Sequence, residues 1–108
     1  MDRVSRKDML LHMLELEPND VFLNYALSQE LMGVEDYANA NLQLQKTLLL
    51  DKNYLACYYQ LGQVNEKLND IPQAMVFYKQ GIAVASGQNN KKTLAELSDA
   101  LWQISDED

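Results

Sequence analysis

The chain has 108 residues and a formal charge of −7, from 16 acidic and 9 basic side chains, and 47% of it is hydrophobic. That length makes one domain able to bury roughly 60 to 65% of its unfolded surface, and the negative balance repels phosphate backbones and anionic lipid, which disfavours nucleic acid and membrane surfaces as partners. The single cysteine, Cys57, cannot form an internal disulfide, Met1 to Lys7 lacks the apolar core of a signal peptide, and no run reaches the roughly 20 apolar residues of a membrane span, so the expected compartment is the cytoplasm.

Four Gly and two Pro against abundant Leu, Ala, Gln, Met and Glu favour helix throughout. Ser5 is expected to cap a first helix from about Arg6 to Leu16, with Asp8 three residues on in a capping-box-like arrangement, and Pro18 forbids continuation. Asn19 or Asp20 opens the second helix, in which Phe22, Leu23, Ala26, Leu27, Glu30 and Leu31 keep helical spacing, and Gly33 suits a left-handed residue at its end. Asp36 caps the third, about Tyr37 to Leu50, and the fourth runs from about Tyr54 to Lys67. Asp70 caps the fifth, Ile71 to about Ala85, where Pro72 is tolerated because first-turn amides have no intrahelical acceptor. Ser86-Gly87-Gln88-Asn89 reads as a loop, Asn90 caps a sixth helix to about Ile104, and Ser105-Asp106-Glu107-Asp108 is a fraying acidic tail.

Two stretches, Asn19 to Lys52 and Asn53 to Ser86, repeat each other at a spacing of 34 residues. Asn19/Asn53, Tyr25/Tyr59, Leu27/Leu61, Gln29/Gln63, Asp36/Asp70 and Ala40/Ala74 are identical. Val21/Leu55, Val34/Leu68, Tyr37/Ile71, Leu42/Val76, Leu44/Tyr78 and Leu48/Ile82 stay apolar in both copies, so the same surfaces are expected to be buried twice.

These residues resemble the tetratricopeptide repeat, whose 34-residue pattern is W-x2-L-G-x2-Y, then A-x3-F, then P. The better copy is Tyr58-x2-Leu61-Gly62-x2-Asn65 followed by Ala74-x3-Tyr78, with Ser86 in place of the final proline. The upstream copy is looser, Asn24-x2-Leu27-Ser28-x2-Leu31 followed by Ala40-x3-Leu44. The resemblance implies an all-α fold, a right-handed α-solenoid of stacked helix hairpins forming one domain over 1–108. It would comprise a half repeat at 6–18, repeats at 19–52 and 53–86, a capping helix at 90–104 and the acidic tail at 105–108. Short side chains at Ser28 or Gly62, and at Ala40 and Ala74, would let the two helices of a hairpin approach closely.

The resemblance also implies a concave groove lined by the first helix of each pair: Phe22, Tyr25, Gln29 and Met32 from one repeat, and Ala56, Tyr59, Gln63 and Glu66 from the next. Tyrosine is a rigid amphipathic anchor and glutamine both donates and accepts, a combination suited to a peptide or protein segment, more readily neutral or basic than acidic. The plainer alternative is that these are half-buried surface residues retained from a duplication. Some members of the family grip a C-terminal carboxylate with Lys, Arg and Asn. Here Tyr25, Gln29 and Gln60 take the matching places and Lys91 and Lys92 lie beyond the second repeat, so such a clamp is not expected.

The first helix is apolar on more than one face, through Met9, Leu10, Leu11, Met13, Leu14 and Leu16. Met9, Leu10, Met13 and Leu14 are candidates for self-association into a homodimer, unless Met1 to Lys7 folds over them or the helix rotates to bury most of them. Chemistry has little support. His12 is the only histidine, Cys57 has neither a basic neighbour nor a companion cysteine, and paired carboxylates fall at a helix start and in the tail, so no catalytic, cofactor or metal residue is assigned. Trp102 is expected to seal the end of the solenoid. The function expected is that of a non-catalytic interaction adaptor, with a structural homo-oligomer built on the first helix as the alternative.

Overall fold

The computed structural model describes residues 3–105, and among them every regular element is an α-helix: α1 (Arg3–Leu16), α2 (Val21–Gly33), α3 (Tyr37–Leu50), α4 (Leu55–Lys67), α5 (Ile71–Gly87) and α6 (Lys91–Ile104). This is the all-α helical-repeat fold that the 34-residue period implies. The chain divides between Lys52 and Asn53 into two compact units, α1 to α3 and α4 to α6. Within each, successive helices pack on one another.

The helix starts follow from local chemistry. Asp20, Asp36, Asp70 and Asn90 are N-caps whose side chains accept the backbone N–H three residues on, from Leu23, Asn39, Gln73 and Thr93. Each such bond satisfies an orphan amide and contributes about 0.5 to 2 kcal/mol. Bonds from Asn39, with a smaller contribution from Lys7, hold the exposed Asp36 carboxyl below its ordinary range. Ser5 is not a cap; it lies inside α1, which begins at Arg3.

The turns inside the hairpins are alike. Glu35, Asn69 and Asn89 take the left-handed conformation at φ 60°, 61° and 55°. The next residue in each case, Asp36, Asp70 or Asn90, donates its N–H to the carbonyl five residues back, on Leu31, Asn65 or Ala85, at 2.9, 2.8 and 2.9 Å. That is the six-to-one bond of a Schellman turn, and the same residue caps the following helix. Gly33, expected to be the left-handed residue, is instead in the last turn of α2, because the turn closes two residues later. For the same reason Ser86 and Gly87, expected in a loop, belong to α5. Asp106 to Asp108 lie outside the described residues.

The two copies fill equivalent positions with matched but different sets. In the second unit a Cβ on Gly62 would overlap the Cε1 edge of the fully buried Tyr78 ring, and one on Gly81 would lie 2.6 Å from Tyr58 Cβ. Glycine is required at 62 because the Tyr78 ring takes the space a Cβ would need, and at 81 because Tyr58 Cβ and the Leu97 methyls do. In the first unit the corresponding residues are the buried Ser28 and Leu44, and Thr47, whose hydroxyl donates to the Gln43 carbonyl at 2.9 Å while Gln43 Nε2 donates to Asn24 Oδ1 at 2.6 Å. Asn24 also donates to the Pro18 and Asp20 carbonyls at 3.0 and 2.8 Å, so this buried polar residue is bonded on both sides of its amide.

Candidate interaction surfaces

In the second unit, Tyr59, Gln63 and Glu66 share one face of α4, at spacings of four and three. All three converge on Tyr78 of α5. Gln63 Nε2 donates to the Tyr78 hydroxyl at 2.7 Å, that hydroxyl donates to Glu66 Oε2 at 2.5 Å, and the Tyr59 ring lies 6.1 Å from the Tyr78 ring at 51°. Burial, reinforced by donation to the Glu66 carboxylate, pushes ionisation of the Tyr78 hydroxyl well above the ordinary tyrosine value. Tyr59 is exposed while Gln63 and Glu66 are half-buried, so this is a pre-ordered polar patch with an aromatic edge.

In the first unit, Phe22 is 69% exposed at the start of α2, and Tyr25, Gln29 and Met32 are half-buried. Gln29 Nε2 donates to the Ser28 hydroxyl at 3.2 Å, and that hydroxyl donates to the Tyr25 carbonyl at 2.5 Å. The hydroxyl that holds Gln63 has no counterpart here, because Leu44 stands where the second unit has Tyr78.

On α1 the structure separates the apolar residues into two sets. Met9 and Met13 are exposed, as are Leu11 and Leu16, whereas Leu10 and Leu14 are half-buried. Leu10 and Leu14 continue, a turn at a time, the row begun by Arg6, whose Nε reaches Glu30 Oε1 on α2 at 3.3 Å. His12 is on the surface, 3.9 Å from Glu15, and Cys57 is a fully buried free thiol. Trp102 does not seal an end of the fold, since it is 68% exposed on α6.

One feature escaped the sequence reading. A cleft of about 350 Å³ opens among α1, α2 and α3, with Leu27 and Leu31 at its base, Leu11 and Leu42 beside them, and Lys7 and Lys46 among its lining residues. The available signal was the pairing of a lysine and a leucine four apart on two helices, Lys7 with Leu11 and Leu42 with Lys46. Among the described residues, no group of three or more His, Cys, Asp or Glu side chains is placed to hold a metal, and no helix is long and apolar enough to cross a membrane.

The chain is similar to a tetratricopeptide repeat domain protein from Salinibacter ruber. Its solution structure is 33% identical over 84% of this chain and 92% of that one, with a TM-score of 0.77. The crystal structure from the same organism is 34% identical over 79% and 94%, with a TM-score of 0.73. The crystal structure of PcrH in complex with the chaperone binding region of PopD gives a TM-score of 0.88 at 16% identity, over 94% of this chain and 77% of that one, a likeness of fold. No protein-family model and no curated protein matches the chain.

Proposed function

Because the chain belongs to the tetratricopeptide-repeat family, we propose that it is a non-catalytic adaptor in which the first helices α2 and α4 bind a peptide or protein segment in a groove. The observation that carries this is the aromatic residue exposed on each of those helices, Phe22 on α2 and Tyr59 on α4, with Gln29 and Gln63 on the same helices. Exposed aromatics are the commonest anchors of protein interfaces. PcrH, which shares the fold, is seen with a segment of PopD, a precedent for this architecture holding a protein segment. The net charge of −7 favours a neutral or basic segment. The 34-residue register supports reading the chain as one domain of two repeats, a half repeat and a capping helix. A lone buried Cys57 supports a reducing, cytoplasmic location.

The test isolates a partner with the chain as bait, then measures its affinity by calorimetry for wild type and for Phe22→Ala with Tyr59→Ala. We expect the double variant to lose on the order of tenfold to a thousandfold in affinity while remaining helical. Equal affinities would remove the first-helix faces from the binding site. A second reading, assembly of a homo-oligomer through α1, is favoured by the exposure of Met9 and Met13. In that case Met9→Lys with Met13→Lys would lower the oligomer's mass in light scattering, and a wild type already monomeric at high micromolar concentration would dismiss it.

A further inference from the structure

The cleft in the first unit has a chemistry unlike the rest of the chain. In a protein of net charge −7, two lysines and, among the described residues, no carboxylate line it. Lys46 is exposed and Lys7 half-buried, the latter with Asp36 near enough to feel its charge. Leu42, at 64% exposure, and Leu11, at 42%, present apolar surface at the cleft's mouth, beside the buried Leu27 and Leu31. A volume of about 350 Å³ is at the small end of pockets that hold compact apolar ligands. It admits one large side chain and a neighbour rather than a whole helix, so its occupant should combine one bulky apolar anchor with adjacent negative charge.

This chain carries such a segment. Trp102-Gln103-Ile104-Ser105-Asp106-Glu107-Asp108 pairs a tryptophan that is 68% exposed with three successive carboxylates. We propose that the α1–α2–α3 cleft receives the C-terminal segment of a second copy, with the Trp102 indole over Leu27 and Leu31 and carboxylates of Asp106 to Asp108 meeting Lys7 and Lys46. Tryptophan covers much apolar area at small entropic cost, and the lysine-carboxylate pairs set its orientation. Repulsion between two copies of charge −7 is screened beyond about 8 Å at physiological ionic strength, so the local complementarity decides. Head-to-tail docking of this kind extends into chains or closes into a ring, and reciprocal exchange of tails closes a dimer.

Trp102 is the only tryptophan in the sequence, so its fluorescence reports the contact directly. The full chain is diluted through the micromolar range at about 0.15 M salt while light scattering gives mass and emission gives the environment of Trp102. We expect mass to rise and emission to shift to the blue with a common midpoint, and an excess peptide of residues 100–108 to return the mass to that of the monomer. Lys46→Glu, at an exposed position, should raise the midpoint by about tenfold or more. On that background, changing Asp106, Glu107 and Asp108 to Lys should restore association. Leu42→Ser should weaken it without loss of helicity, which guards against a folding defect in the charge variant. Emission independent of concentration would overturn the proposal. So would association indifferent to Lys46→Glu and Leu42→Ser, an outcome that assigns self-contact to Met9 and Met13. Neither result touches the α2 and α4 faces, whose test is separate.

Discussion

The pairing of Gly62 with Tyr78 gives the most discriminating prediction. A Cβ at position 62 would overlap the edge of the Tyr78 ring, and that ring is fully buried, with its hydroxyl bonded to Gln63 and Glu66. The ring therefore cannot step aside without giving up contacts on both sides. Gly62→Ala combines an overpacking cost of about 1 to 3 kcal/mol with partial loss of a charge-assisted hydrogen bond of about 1.5 to 3 kcal/mol, offset by up to about 1 kcal/mol of improved helix propensity. The net loss expected is about 2 to 4 kcal/mol. Tyr78→Leu alone should cost a similar amount by leaving a cavity, about 2 to 4 kcal/mol. The first unit carries buried Ser28 and buried Leu44 at the positions 34 residues earlier, so Gly62→Ser with Tyr78→Leu transplants that pair. The double variant should recover at least about 1.5 kcal/mol relative to the sum of the singles. Denaturant unfolding followed by circular dichroism supplies all four corners of the cycle. A Gly62→Ala variant within about 0.5 kcal/mol of wild type, or strict additivity in the cycle, would show that no ring occupies the space next to Gly62.

Glu35 holds a left-handed backbone without being glycine, so Glu35→Gly should stabilise the first unit by up to about 1 kcal/mol, read as a higher melting temperature; an equal or lower one would contradict the Schellman turn. Because the folded state raises the ionisation of Tyr78, its contribution is complete below the ordinary tyrosine value of about 10 and is lost as pH rises above it. Unfolding free energies should therefore fall between about pH 10 and 12 in wild type and fall less in Tyr78→Phe, and parallel profiles would refute the assignment. Leu10→Glu should destabilise the first unit by roughly 1 to 3 kcal/mol, whereas Met9→Glu on the exposed side should stay within about 0.5 kcal/mol; equal losses would place both residues on one face.

Helix starts and the repeat were legible because their causes are local. An aspartate three residues before an unpaired amide is visible in the sequence wherever it occurs, and Asp36 and Asp70 stand 34 residues apart for that reason. The helix ends were less legible. Sequence reasoning looks first for glycine at the left-handed position, but these turns put Glu35, Asn69 and Asn89 there; asparagine tolerates that conformation by itself, whereas Glu35 is held by the bond from Asp36 to the Leu31 carbonyl. The cleft was hard to find for a different reason, since its walls come from three helices and the lysine–leucine pairs on α1 and α3 do not by themselves say that they face one another.

The repeated Tyr and Gln pairs show how far identity between copies can be taken. Gln63 is held by the Tyr78 hydroxyl, while Gln29 meets the Ser28 hydroxyl and finds Leu44 where the tyrosine would be. That hydrogen-bond environment therefore does not account for glutamine at both positions. The copies do share a place on the first helix of a repeat, four residues beyond a tyrosine, with part of each side chain reaching solvent. That shared outward position supports the proposal that α2 and α4, rather than the second helices, hold a partner.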